Sequence, residues 1–263
     1  MNRTISRMAG TLAGLALAAS VAMPALAAPS RPNLDAGSDR SGAPGELGTA
    51  RCAAAWLKAR TEHTLENVQA VGFCEIDRRL TTIERLRGLV REANVLTDSH
   101  ASALTRILDD SATGLTALRG EIADDTTVAS ATEDVRRIFT EYRIYALVTR
   151  QVVLVRADDR VDAAVHRVEG AADRLSAAIA QAAGNGKDVT EAQGHLEAMK
   201  AATAAARSEV AGDAAAVLAQ TPATWNAGTA KPILDSARAS ISAARTDLRT
   251  ATSEARAVLA ALH

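Results

Sequence analysis

Asp158, Asp162 and His166 recur at four-residue intervals in the second half of this chain, and Glu169 follows one turn later. On a helix that spacing stacks the four along one side. Carboxylate oxygens beside an imidazole nitrogen are donors that a divalent cation accepts. The interleaved Val161, Val165 and Val168 give a plainer account, in which the valines form a packing seam and the polar set is its solvated flank. Di-iron helical bundles place an E-x-x-H pair on facing helices. Here Glu62 immediately precedes His63 and Glu191 precedes His195 by four, so neither spacing fits and no metal site is expected. Gly184 and Gly186 lack the third glycine of a dinucleotide loop and follow a helical stretch, which makes them a turn between helices. No G-x-S-x-G and no H-E-x-x-H occurs. No catalytic residue and no cofactor is therefore assigned, and the chain is read as a non-enzyme. Asp158 falls in the seam itself. A buried carboxylate is costly without a partner, so it is expected near a bundle end or beside an arginine.

Recognition chemistry has more to work with. Tyr142, Arg143 and Tyr145 cluster in a chain holding only two Trp, two Tyr and two Phe, and Trp225 sits in TPATWNAGTA, a stretch read as a loop. Aromatics and arginine dominate interface hot spots. These four are the candidate interaction residues; the competing role is to plug bundle ends where helices splay.

The elements that must carry them are helical. Ala, Leu, Val and Ile with few aromatics suit close-packed helices and suit strands poorly. Ile76, Leu80, Ile83, Leu86 and Val90 mark one helix, and Leu104, Ile107, Ser111, Leu115, Leu118 and Ile122 a second. A third opens with Ser130 and Glu133 in capping-box spacing. Residues 143–155 resist the pattern: they fit a short buried strand, a helix apolar all round, or a linker. Beyond them Leu154, Asp158, Val161, Val165, Val168, Ala172, Leu175, Ile179 and Ala182 alternate by four and three. A second seam runs through Ala192, Leu196, Met199, Thr203, Ala206 and Val210, opened by Asp188 with Glu191, and loses register near Asp213. A third, from Leu234 to Leu262, keeps a heptad. The fold class is all-α, an elongated antiparallel helical bundle or coiled coil: a three-helix bundle over 149–263 preceded by a smaller helical region over 49–148.

Arg3 and Arg7, the apolar run Ala9–Ala22, Pro24 and then Ala25-Leu26-Ala27 read as a secretory signal peptide over 1–27, cleaved between Ala27 and Ala28. Residues 28–48, rich in Pro, Gly, Ser and Asp, read as a flexible linker. Export favours oxidation of Cys52 and Cys74 together. Twenty-two residues of straight helix would hold them about 33 Å apart, so a bridge within the chain requires a reversal between Arg60 and Gly72. One long helix with reduced thiols, or a disulfide between chains, is the alternative. The chain has 30 Lys+Arg against 31 Asp+Glu, with no run of one sign. Phosphate binding needs a clustered basic face, so no nucleic-acid partner is expected.

Residues 140–151 (TEYRIYALVTRQ), Asn185-Gly186-Lys187-Asp188-Val189, the Ala-rich finish, Ile76-Asp77-Arg78-Arg79-Leu80 and Leu96-Thr97-Asp98 resemble an uncharacterised family of exported, Ala-rich, coiled-coil-like helical proteins of high-GC actinobacteria. Tyr142-Arg143-Ile144-Tyr145 is the most specific element. The resemblance spans roughly residues 75–262, excludes the cysteine region, and implies secretion and a helical fold without an activity. The resulting expectation is a secreted, non-catalytic scaffold, spacer or adhesion-type module touching a protein or an envelope component. The long Ala/Leu stripe leaves a homo-oligomer open. A peripheral lipid-binding role for amphipathic helices is the alternative, disfavoured by polar faces that mix acids with bases and lack aromatic anchors.

Overall fold

In a computed structural model, residues 45–263 are described, with side chains from Cys52 onward. The signal peptide and nearly all of the linker read from the sequence lie outside the described residues. Every regular element among those described is helical. None is long and apolar enough to cross a membrane.

Helix α1 (Gly45–Thr61) starts four residues before the point where periodicity begins, inside the expected linker. The chain then reverses and α2 (Leu65–Arg91) begins, its first turn capped by the Thr64 hydroxyl, which accepts from the Asn67 amide. This reversal brings Cys52 and Cys74 to a Cα separation of 5.5 Å, bonded as a disulfide. Helix α3 (Asp98–Asp124) is capped by Thr97 and α4 (Val128–Thr140) by Thr127, one turn before the expected Ser130; Glu133 instead pairs with Arg136.

From Ile144 onward, residues 143–155 prove to be helix. Arg143 is left-handed at φ 47°, the one non-glycine residue with positive φ among those described. A π-helical turn (Ile144–Val148) follows and runs straight into α5 (Thr149–Gly184). The segment is apolar over most of its surface because most of it is packed: Ile144, Leu147, Val148, Val152, Leu154 and Val155 are all buried, while Tyr145 reaches the surface.

Gly186, at φ 80°, turns the chain after α5. Asp188 accepts from the backbone amide of Thr190 at the start of α6 (Thr190–Val210), while Glu191 faces His195 instead of closing a capping box. The register lost near Asp213 is a real break. Gly212 at φ 85° separates α6 from α7 (Asp213–Leu218). The stretch expected as a loop holds a short helix, α8 (Pro222–Asn226), closed by a capping box between Thr221 and Thr224. The last helix is α9 (Ala230–Leu262).

Helices α5, α6 and α9 form the three-helix bundle. Lys187 reaches the Leu262 carbonyl and His195 meets Glu254, so α6 runs antiparallel to α9. Two hydrophobic clusters fill the molecule. The larger joins α2, α3, α4, α7 and the first halves of α5 and α9, so it continues across residue 149. The smaller, built from Val168, Ala172, Leu175, Ile179, Leu196, Met199, Ala251 and Val258 with their neighbours, fills the distal end of the bundle.

Candidate functional site

The seam of α2 contains a charged residue in core register. Ile76, Ile83, Leu86 and Val90 are buried as their spacing requires, and Arg79 occupies the inward position between the first two, where Leu80 was expected. Its guanidinium is paired with Glu75, and both side chains are at most 5% exposed. Arg79 also donates to the Glu75 carbonyl at 3.0 Å. The carboxylate accepts further bonds from Arg78 (2.9 Å) and from the Trp56 indole (3.1 Å), which α1 brings across the disulfide-closed reversal. Burial works against charge on Glu75, but the bonds from Arg79 and Trp56 and the two guanidinium charges outweigh it. Its carboxyl is held below the usual carboxylate range. Burial likewise lowers the Arg79 pKa, opposed by Glu75.

Aromatic rings enclose this pair. Arg79 lies 4.5 Å from the Phe139 ring and 5.2 Å from Tyr145, and Arg78 lies 5.0 Å from Tyr145. Trp56 and Phe139 are 6.2 Å apart, tilted. Such contacts hold cations over ring faces and limit ring motion. At the surface, Tyr145 is 38% exposed and Leu57 65%. Leu57, Trp56, Ala53 and Arg60 line a shallow open groove on α1. The outcome is a fixed aromatic and arginine cluster beside a disulfide. Every polar atom of the Glu75 carboxylate is engaged by a static donor, which suits orientation of a surface better than proton transfer.

The candidate residues read from the sequence divide. Tyr145 belongs to this cluster. Tyr142 is half-buried over Gly114, where an added Cβ would lie 2.6 Å from the ring. The Arg143 guanidinium donates twice to the Asn226 side-chain oxygen (2.9 and 2.6 Å), and Asn226 donates back to the Thr140 carbonyl at 2.8 Å. This clamp ties the strained residue to α8. Trp225 packs against the larger core, with Arg150 at 6.0 Å from its ring and paired to Asp235. These three are engaged within the chain. Trp56, Glu75, Arg79 and Phe139 were not singled out from sequence; the one signal was a charge standing where the seam calls for an apolar side chain.

Asp158 has neither of its expected solutions. Among the described residues it makes no ion pair, and its Oδ1 is buried without a partner. Burial, together with the charges of Asp159 and Asp213, raises its pKa to about 7. The neighbouring Asp159 is satisfied: it accepts from the Thr97 amide (3.0 Å) and contacts His100 (2.8 Å), fastening α5 to the start of α3. Asp162, His166 and Glu169 lie together on an exposed face, with Glu169 also held by Arg207 of α6. Among the described residues no group of three or more His, Cys, Asp or Glu side chains has the arrangement to hold a metal.

Fold and site together define an all-helical protein with a disulfide-closed entry and a preorganised aromatic–arginine surface. Comparison with protein-family models, with curated proteins and with solved structures found no match for the chain.

Proposed function

We propose that this protein is exported and acts without catalysis, through contact with another protein or a component of the cell envelope. The observation that carries the reading is the Trp56–Glu75–Arg79–Tyr145 constellation. Burying an ion pair is expensive, and apolar side chains of similar volume would stabilise a core at least as well. The pair is better explained as a support that fixes Tyr145 and Trp56 next to the exposed Leu57, as a contact surface requires. The signal-like first 27 residues and the Cys52–Cys74 bridge favour an oxidising location outside the cytoplasm.

The purified protein should pellet saturably with either the cell-wall or the membrane fraction of the producing cell. Combining Tyr145→Ala with Leu57→Ala should weaken that binding about tenfold, as loss of a central anchor does, without changing the helical circular dichroism. Trp225→Ala should lower the melting temperature instead. Failure to pellet with either fraction would end the envelope reading.

A further inference from the structure

Among the described residues most arginines of α5 and α9 lack an ion pair, whereas six of the nine in α2 to α4 have one and Arg85, Arg91 and Arg106 do not. In α2 to α4, Arg87 pairs with Glu84 and Asp109, Arg119 with Asp77, and Arg137 with Glu121, Asp134 and Glu141. On α5, Arg156, Arg160, Arg167 and Arg174 form no ion pair among the described residues; nor do Arg238, Arg245, Arg249 and Arg256 on α9. The ion pairs of these two helices involve instead Arg150, Lys231, the histidines and Arg207 of α6. Spacings of four and seven keep each set on one flank of its helix.

The two flanks meet. Helices α5 and α9 run parallel: Arg150 meets Asp235 at an offset of 85 residues, and Arg160 and Arg245, at the same offset, repel each other. The acids of α5 lie on its other flank, where Asp159 is bonded to α3 and Glu169 to α6. Glu254 of α9 likewise turns to His195 of α6. The polar faces expected to mix acids with bases are therefore segregated on α5. The basic residues line the groove between α5 and α9, over about 27 Å from Arg156 to Arg174 at 1.5 Å per residue.

Like charges crowd the stripe where Arg160 stands beside Arg156 and Arg245. Burial and the Arg160 charge lower the pKa of Arg156, with Glu92 of α2 partly opposing, and the Arg156 Nε is buried without a partner. Burial, Arg160 and Arg249 lower that of Arg245. An anion laid along the groove would relieve this around Arg160.

We propose that the α5–α9 face is a docking surface for a linear phosphodiester polymer of the cell envelope. The proposal rests on the exported, envelope-contact reading above. A line of singly charged groups matches a straight stripe, and a guanidinium grips a phosphate through two parallel bonds where an ammonium offers a point charge. Helix α5 has no lysine, and the single lysine of α9, Lys231, is paired with Asp235. A membrane is a poorer fit, because Val153, Ala164 and Ala171, which share this flank of α5, are small and half-buried and offer nothing to insert among lipids. Single-stranded nucleic acid is a poorer fit because neither helix carries an aromatic side chain on which bases could stack.

The test titrates the purified protein with poly(glycerol phosphate) at low ionic strength and at about 1 M salt, where the Debye length falls to about 3 Å. Binding should appear at low salt and vanish at high salt. Arg160→Gln combined with Arg245→Gln should weaken it about tenfold or more. Arg136→Gln combined with Arg207→Gln, which removes two ion-paired arginines elsewhere, should leave it unchanged. The stripe variant should melt at or above the parent temperature, since it loses repulsion, so weakened binding is not unfolding. The proposal is overturned by absent binding at low salt, by a stripe variant that binds like the parent, or by tighter binding to duplex DNA or to anionic phosphatidylglycerol vesicles. Pelleting with the wall fraction but no binding to the polymer removes the stripe and leaves the envelope reading. Binding of the polymer by a protein that pellets with neither fraction removes the envelope source, and this proposal with it.

Discussion

The N-terminal half of the core and the distal end of the bundle solve the same packing problem by different means. The distal cluster uses Ala, Val, Leu, Ile and one Met in unbroken seams, and its backbone departs from helix only at the Gly184–Gly186 turn. The proximal cluster gathers large side chains such as Ile76, Leu104, Leu115, Ile122 and Ile138 from helices of unequal length. It also needs a left-handed arginine, a π turn, a disulfide and a buried ion pair to close. Small seam residues repeat and so tolerate sliding along the bundle axis. A buried Glu75–Arg79 pair does not, because any displacement leaves a charge without its partner. The proximal end thus holds one arrangement rigidly, while the distal end is a simple rod of repeating seams.

Perturbations should separate the two regions, and the ion pair should give the largest effect. Glu75→Leu strands a buried guanidinium and should destabilise the protein by about 3–5 kcal/mol in urea unfolding. Glu75→Leu combined with Arg79→Leu should cost clearly less than the single change. Equal or greater loss in the double variant would mean that the pair is not what locks this end.

Removing the disulfide should come next. Replacing both Cys52 and Cys74 with Ser frees a loop of 22 residues and should cost about 3 kcal/mol on the loop-entropy account. Hydrogen exchange should rise in α1 and at the Trp56 indole while α6 and the end of α9 stay protected. Uniform loss of protection would contradict the independence of the two ends.

The smallest of the three effects lies at the joint between the regions, where Asp158 of α5 faces Asp159, Asp162, Asp213 and His100. Its folded pKa of about 7 lies above the ordinary value of 3.8, so between those pH values the folded state holds the proton more tightly. Stability therefore falls as pH rises from about 4 to 7 and stays reduced above. Asp158→Asn should raise stability by about 2 kcal/mol at pH 8 and by little at pH 4, measured by thermal unfolding across the range. A gain independent of pH would show that the carboxyl is not ionising in place.

Periodicity carried much of this fold. The seams of α5, α6 and α9 are buried nearly residue for residue as their spacing required, and Gly186 and Gly212 stop the helices where register is lost. Residues 143–155 fit no periodic pattern, because a helix buried over most of its surface has little polar face to read. Caps supplied from far away were equally hidden. Gln69 closes α3 by donating to the Ile122 carbonyl (2.8 Å), and the buried Gln151 holds the carbonyls of Val217 (3.0 Å) and Gln220 (2.9 Å) at the end of α7. Of the interaction candidates, Tyr145 reaches the surface, and its supporting residues come from three other helices.

The sequence by itself determined an all-helical chain, its bundle seams, its turns and a cysteine spacing that demands a reversal for closure. These are local properties: a helix's apolar face and its stop signals lie within a few residues of one another. Tertiary structure alone decided that Glu75 and Arg79 are buried under aromatic rings, that Asp158 faces carboxylates instead of an arginine, and that two sets of arginines without an ion pair among the described residues converge in one groove. Each depends on the rotation and offset of one helix against another. Those are set by the summed packing of the whole core, and no single stretch of chain encodes them.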